Sequence, residues 1–495
     1  MNPFADISPD LLDDVMKRSW RAFQSYRTQP LMKRAELLRA MAAELEDMGD
    51  AWIQAAHRET NLSEDRLRNE RARTIFQLES YGMAAAQGDW MRISIDTALP
   101  DRNPPRPDIR KKMIPLGPVI VFGASNFPYA YSTAGGDTAS ALAAGCSVVV
   151  KAHPAHPQTS LLAAQAIERA IEKTGLPSDL FQHVYGAAFE IGKGLVQHPL
   201  SAAVGFTGSF SGGKQLFDWA NERPHPIPVF SEMGSINPVF LLPDLLKNDQ
   251  ALLAQKIAAS LTLGVGQFCT NPGVLVAIEG EDTDTFRDKL IEHLQQVAPA
   301  KMLHAGIQRA YQEGTRSVRE RPGVQTHLSA EREPADQAVA QLVQVAADRF
   351  LSDKRLQQEV FGPATLLVLC SDSTELHRVA EQLEGQLTCS VFGTEKDLQV
   401  HRTLAEQLTL RCGRLIFNMV PTGVEVIQST HHGGPFPATT DPRFTAVGSD
   451  AILRFARPIS YQNCPEEFLP EELRSDNPLG IWRKVNGQWN NGSIR

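Results

Sequence analysis

Val119-Ile120-Val121-Phe122-Gly123 and Ser147-Val148-Val149-Val150-Lys151 flank a small-residue stretch, 133–144, that reads as a helix. Both runs are apolar without alternation, and strands of that kind lie in parallel sheets covered on both faces. The pattern continues with a helix near 160–173, a strand at 180–185, a helix near 189–197 and a strand at 202–206. Repeated βα units predict an α/β fold with a doubly wound sheet whose ligands bind beyond the carboxyl ends of the strands.

Toward the N-terminus, residues 9–88 carry apolar side chains at three- and four-residue steps: Leu11, Leu12, Val15, Met16 and Trp20, then Leu37, Leu38, Met41, Leu45 and Met48. That spacing predicts amphipathic helices. Their Lys, Arg and Glu read as solvent faces, and no chemistry is expected there. After a Pro-rich joint at 100–107, Arg110-Lys111-Lys112 reads as a solvated edge strand, where lysines block pairing.

From Pro238 a second α/β section is expected: a helix at 252–262, the loop around Cys269, a strand at 274–278 and a helix at 284–296. A charged, irregular stretch at 312–336 precedes a strand at 365–369 and further units to Phe417. The tail beyond Ile459, with Trp482 and Trp489 among Pro, Asn and Gly, reads either as an arm onto a neighbouring subunit or as an irregular surface segment.

Composition narrows the function. The 495 residues carry a formal net charge of −8, with 42% hydrophobic and 21% charged side chains. Without a lysine/arginine run for a phosphate backbone, nucleic acid is not an expected partner. The start lacks a basic region followed by an apolar one, and no apolar run reaches the roughly 18 residues that span a bilayer. A soluble cytoplasmic protein without a membrane partner is expected. Six cysteines, Cys146, Cys269, Cys370, Cys389, Cys412 and Cys464, form no CxxC pair, which fits reduced thiols.

Four places can carry chemistry, and each has an ordinary structural reading when taken singly. Cys269, among turn residues in Gly264-Val265-Gly266-Gln267-Phe268-Cys269-Thr270-Asn271-Pro272-Gly273, is a candidate nucleophile or a buried small hydrophobe. Gly205-Phe206-Thr207-Gly208-Ser209, followed by Phe210-Ser211-Gly212-Gly213, leads from a strand into a helix start that attracts phosphate, although its spacing is not GxGxxG. Glu232, at a strand end in Phe230-Ser231-Glu232-Met233-Gly234, is a candidate general base whose pKa burial would raise, or a solvated acid. Asn126, after the first sheet strand, can donate to an oxyanion or cap a turn.

Together these pieces resemble the aldehyde dehydrogenase superfamily. The matches run in order from about residue 19 to 458: Ser-Asn126-Phe-Pro, Val-Val-Lys151, Gly-Phe-Thr-Gly-Ser209, Ser-Glu232-Met-Gly234, Gly-Gln-Phe-Cys269, Gln-Glu359-Val-Phe361-Gly-Pro and Phe-Asn418. The resemblance implies a variant Rossmann cofactor domain over 1–232 with its N-terminal helices. It further implies a catalytic domain over 233–432, a return segment to the cofactor domain and C-terminal arm over 433–495, and a small oligomerisation element. By the same resemblance, Cys269 would attack an aldehyde, Asn126 and the Cys269 N–H would hold the oxyanion, and Glu232 would activate water against the thioester. Lys151 would bind the adenosine ribose and Ser209 the pyrophosphate. Glu359 and Phe361 would place the nicotinamide ribose and ring. Glu232 favours hydrolysis over transfer to coenzyme A, and a homodimer or homotetramer is expected.

Three departures refine the expectation. Many NAD-preferring relatives have a glutamate three residues after the ribose lysine; here the position is Pro154, which removes a clash with a 2′-phosphate and favours NADP over NAD. The pairs His153/His156 and His431/His432 lack a Cys or carboxylate at ligand spacing, so no metal is expected. The segments 418–424 and 432–439 depart from the usual C-terminal motif and resemble the branch of α-ketoglutaric semialdehyde (2,5-dioxopentanoate) dehydrogenases and NADP-linked fatty aldehyde dehydrogenases. The expected small-molecule substrate is 2,5-dioxopentanoate, with fatty or other aliphatic aldehydes as the alternative and a catalytically silent scaffold as the reading from another class. A keto-acid substrate requires a cationic or N–H-rich pocket, which the sequence does not locate.

Overall fold

The structure is a computed structural model in which residues 4–329 and 336–494 are described. Residues 1–3, and residues 330–335 of the charged stretch, lie outside the described residues.

Strands β3 (Val119–Phe122), β4 (Val148–Lys151), β5 (Phe181–Val184), β6 (Ala203–Thr207) and β7 (Val229–Glu232) form a parallel sheet in the order β5-β4-β3-β6-β7. The chain winds outward from β3 in both directions, so the switch point falls between β3 and β6. Alternate side chains of each apolar run serve opposite cores. Ile120, Phe122, Val149 and Val204 pack with Leu12, Val15 and Met16 of helix α1 (Pro9–Tyr26) and with α7 (Phe189–Gln197) and α8 (Phe210–Asn221). Val119, Val121, Val148 and Val150 pack toward α2 (Leu31–Asp47), α3 (Gly49–Thr60), α4 (Glu64–Gln87), α5 (Gly136–Ala144) and α6 (Pro157–Lys173). Covering both faces explains why these strands show no polar alternation. On α1, Leu11 and Trp20 stay exposed although they share its apolar spacing.

A second sheet contains β8 (Val239–Leu241), β9 (Val274–Ile278), β10 (Gln325–Leu328), β11 (Gln341–Ala346), β12 (Ala364–Cys370), β13 (Gln386–Phe392) and β14 (Cys412–Phe417). Its order is β10-β11-β12-β9-β8-β13-β14, parallel except at β10. Helices α9 (Pro243–Thr262) and α10 (Glu281–Gln295) pack on one face through Leu253, Ile257, Phe286 and Leu290. The stretch expected to be irregular from 312 is partly regular, because α11 (Ala305–Arg319) runs into it and β10 follows. Tyr311 and Thr315 supply α11's buried face.

The third sheet joins β1 (Ser94–Asp96) and β2 (Ile109–Pro115) to β15 (Ala456–Gln462), β16 (Arg483–Val485) and β17 (Gln488–Asn490) in the order β15-β2-β1-β16-β17. This corrects the reading of Arg110-Lys111-Lys112, since β2 lies between two strands and is not an edge. Arg110 is buried and donates to the Leu473 carbonyl and to Asp108, and Lys112 pairs with Glu472 at 2.8 Å. Two of the three basic residues are therefore paired with carboxylates of the chain, and Lys111 faces solvent. The tail is likewise partly regular, as β16 and β17 pair with each other and β16 pairs with β1. Among the described residues no helix is long and apolar enough to cross a membrane.

Candidate active site

Register places the sheet's carboxyl ends side by side: Phe122 opposite Lys151, and Thr207 opposite Glu232. Beyond them opens a cavity of about 490 Å³ whose walls include Asn126, Ser209, Glu232, Cys269, Glu359 and Phe361. Six of the nine expected site residues thus meet in one space, within the usual size range for small-molecule sites. Lys151, Pro154 and Gly234 are not on its wall. Lys151 is half-buried at the end of β4 and burial lowers its ammonium pKa; Pro154 is exposed on the turn that follows.

The cysteine loop owes its shape to three consecutive left-handed residues after α9: Gly264 (φ 55°), Val265 (φ 59°) and Gly266 (φ 66°). Only glycine adopts this region without cost, so Val265 holds backbone strain beside the thiol. At Gly266 a Cβ would stand 2.4 Å from the Gly362 backbone, so the cysteine loop can lie directly on the loop bearing Glu359 and Phe361. Asn237 donates through Nδ2 to the carbonyls of Cys269 (2.8 Å) and Asn271 (3.0 Å), and Asn271 donates to that of Gly362. Asn126 Nδ2 donates to the Gln267 carbonyl at 3.2 Å, joining the loop after β3 to the same turn.

His432, a member of one of the histidine pairs noted in the sequence, is fully enclosed between the thiol and the carboxylate. Its Nε2 is 3.0 Å from Glu232 Oε1 and 3.7 Å from Cys269 Sγ. The main chain carries it there: Met233 donates to the Ala438 carbonyl, Thr440 to that of Ser231, and His432 N–H to Thr445 Oγ1. Glu232 differs from expectation. Burial works to raise its pKa, but the His432 ring beside it prevails and holds the carboxyl below its ordinary value. Cys269 shifts the other way, with burial first and the Glu232 carboxylate second pushing the thiol well up. The residue as a whole is half-buried and lines the cavity. Donor atoms of Glu232, Cys269 and His432 all lie within 4.8 Å of one another. Folding therefore brings a Cys and a carboxylate to a histidine that has neither at local spacing.

On the opposite wall, Ser209 is the N-cap of α8, its Oγ accepting from Gly212 N–H at 3.2 Å. The first-turn N–H groups of such a helix start attract anions. A Cβ on Gly234 would come within 2.7 Å of Glu359 Oε2, so glycine makes room for that carboxylate. Glu359 is exposed to the open cleft; surrounding protein and nearby Glu232 still raise its pKa. The α8 N-terminus, the Glu359 carboxylate and the Phe361 ring thus border the same cavity as the thiol.

Helix α4, expected to be inert, reaches the site. Arg66 Nη2 donates to the Asn126 carbonyl at 2.7 Å, and its guanidinium lies over the rings of Phe127 and Phe268. Glu70 Oε1 accepts from the backbone N–H groups of Tyr129 and Ala130, and Arg73 Nη2 donates to Tyr131 Oη. Residues 66, 70 and 73 follow the i, i+4, i+7 spacing of one helix face, the signal that could have exposed them.

Comparison with known proteins gives the same picture. A family profile described as "Aldehyde dehydrogenase family" matches residues 2–435. The chain is 49% identical to Alpha-ketoglutaric semialdehyde dehydrogenase 2 of Azospirillum brasilense over 469 residues, covering 94% of this chain and 89% of that one. It is 43% identical to Alpha-ketoglutaric semialdehyde dehydrogenase of Acinetobacter baylyi over 487 residues, covering 98% and 92%. In fold it is similar to the NADP-dependent glyceraldehyde-3-phosphate dehydrogenase of Bacillus halodurans, solved with NADP, at TM-score 0.77 and 20% identity, covering 92% of each chain.

Proposed function

The chain belongs to the aldehyde dehydrogenase family, and on that premise we propose that it oxidises 2,5-dioxopentanoate (α-ketoglutaric semialdehyde) to 2-oxoglutarate with NADP, or with NAD as the less favoured acceptor. What carries the reading is near full-length identity to two enzymes of that name, combined with a thiol, a carboxylate and an amide donor around one cavity.

In this reading Cys269 Sγ gives its proton to the Glu232–His432 pair as it bonds to the aldehyde carbon. Asn126 Nδ2 and the Cys269 N–H receive the oxyanion. When bound, the nicotinamide supplies the hydride acceptor that takes the intermediate to a thioester. Ser209 and the α8 N-terminus would hold its pyrophosphate, Lys151 the adenosine ribose, Glu359 the second ribose and Phe361 the ring, while Gly234 keeps Glu359 in place. Pro154 leaves room for a 2′-phosphate. Once the pair has passed the thiol proton to solvent, Glu232, ionised because His432 is beside it, takes a proton from water as the water oxygen attacks the acyl carbon, and Sγ leaves as thiolate with the C–S electron pair.

The proposed division of labour is cofactor binding by 1–232, catalysis by 233–432, and return segment plus arm over 433–495, in a cytoplasmic homodimer or homotetramer. An initial-rate panel of aldehydes with NAD and NADP in parallel tests the proposal. It should give the highest kcat/KM for 2,5-dioxopentanoate with NADP. Better turnover of long aliphatic aldehydes, or undiminished activity of Cys269→Ala, would contradict it.

A further inference from the structure

A keto-acid aldehyde needs its far end held as well as its reacting end. Two guanidinium groups converge on the loop 421–424, where the sequence departs from the common family motif. Arg73, on α4, donates through Nη1 to the Val424 carbonyl (3.0 Å) and through Nη2 to Tyr131 Oη (3.2 Å). Arg414, on β14, donates through Nη2 to the carbonyls of Pro421 (3.0 Å) and Gly423 (2.9 Å). Between these anchors Thr422 Oγ1 is 2.6 Å from Ser260 Oγ and donates to the carbonyl of Thr270, the residue after Cys269. The loop thus joins both arginines to the wall of the thiol.

We propose that Arg73 and Arg414 form the subsite for the carboxylate of an ω-oxo acid whose aldehyde lies at Cys269; this rests on the keto-acid reading above. Every hydrogen bond these two arginines make among the described residues goes to a neutral group, and each retains a buried Nε–H with no partner. Neither guanidinium hydrogen-bonds a carboxylate of the described chain, and a substrate carboxylate would supply that charged partner. Both cations feel the thiol: burial and the Glu232 carboxylate raise the Cys269 pKa with Arg73 opposing them, and burial lowers that of Arg414 while Cys269 and Tyr131 oppose it. The competing role is purely structural, with both residues serving only to pin the loop.

The test compares 2,5-dioxopentanoate, 4-oxobutanoate and pentanal in wild type, Arg73→Met, Arg414→Met and the two lysine variants. A charged hydrogen bond is commonly worth enough for each methionine to lower the ratio of kcat/KM for 2,5-dioxopentanoate over pentanal by about 10- to 100-fold, chiefly through KM. Lysine should recover part of the ratio. Glutarate, an unreactive dicarboxylate, should inhibit wild type competitively against aldehyde and lose potency in parallel. If both substrates decline together and the ratio holds, the arginines are loop pins and the subsite is refuted. If wild type prefers 4-oxobutanoate and the ratios still fall, the subsite stands and the proposed substrate does not. Equal wild-type activity on pentanal overturns both.

Discussion

Placed 3.0 Å from Glu232 and 3.7 Å from the Cys269 sulfur, the His432 ring can pass a proton to or from either group, so its loss should differ from loss of Glu232. Glu232→Gln removes the base needed for hydrolysis. It should keep a burst of reduced cofactor while steady turnover falls by about 100- to 10,000-fold, the usual contribution of a general base. His432→Asn should slow the burst as well, since the thiol loses its neighbour and Glu232 loses the partner that keeps it ionised. Stopped-flow fluorescence separates the phases; a normal burst in His432→Asn would confine the ring to deacylation.

Helix α4 carries more of the site than its sequence suggests, and Glu70 shows why. Its carboxyl is buried on two backbone N–H groups, and burial outweighs those bonds and Arg66 to raise its pKa above the ordinary 4.5. A glutamate raised in the folded state favours folding below its unfolded pKa and loses that contribution as pH rises through the folded value. Glu70→Gln keeps the acceptor without the charge. Its Tm relative to wild type should therefore improve from acid to alkaline pH, and a pH-independent difference would show Glu70 to be ionised throughout. The two loops meeting at the cysteine make separate demands. Gly266→Ala meets backbone in a left-handed position and should cost about 2–4 kcal/mol, read as a lower Tm. Gly234→Ala meets only the tip of Glu359, so it should raise cofactor KM about 10-fold with Tm little changed.

Across the whole molecule, legibility followed the range of the interactions. Strands β3, β4, β6 and β9 were readable because their unbroken apolar runs are a direct record of two-sided burial. Cys269, Glu232 and Asn126 were readable because each sits in a local motif. His432, Arg73 and Arg414 were not, since what gives them meaning lies far away in the chain: 200 residues separate His432 from Glu232. The third sheet was hidden for a related reason, as β1, β16 and β17 have three residues each and β1 pairs with β16 across most of the chain. Its hairpin leaves Trp482 and Trp489 52% and 68% exposed, beside an unpaired edge at β17. In the proposed homo-oligomer this aromatic surface would be a contact face. Replacing both tryptophans with serine should shift sedimentation toward smaller species with far-ultraviolet circular dichroism unchanged; an unchanged sedimentation coefficient would place the subunit contact elsewhere.

The close approach of Glu232, Cys269 and His432 also makes the enzyme open to poisoning. A carboxylate, a thiolate and an imidazole are a zinc-binding set, and their mutual separations within 4.8 Å suit bonds of about 2.0–2.3 Å to one ion. The second oxygen of Glu232 is buried without a protein partner. Capture of zinc, with release of the thiol proton, would occupy nucleophile and base together. Chelators should leave turnover intact, whereas free zinc should arrest it reversibly. His432→Asn should need at least about 10-fold more zinc for the same fractional inhibition. Equal sensitivity in that variant would place the inhibitory ion away from this trio.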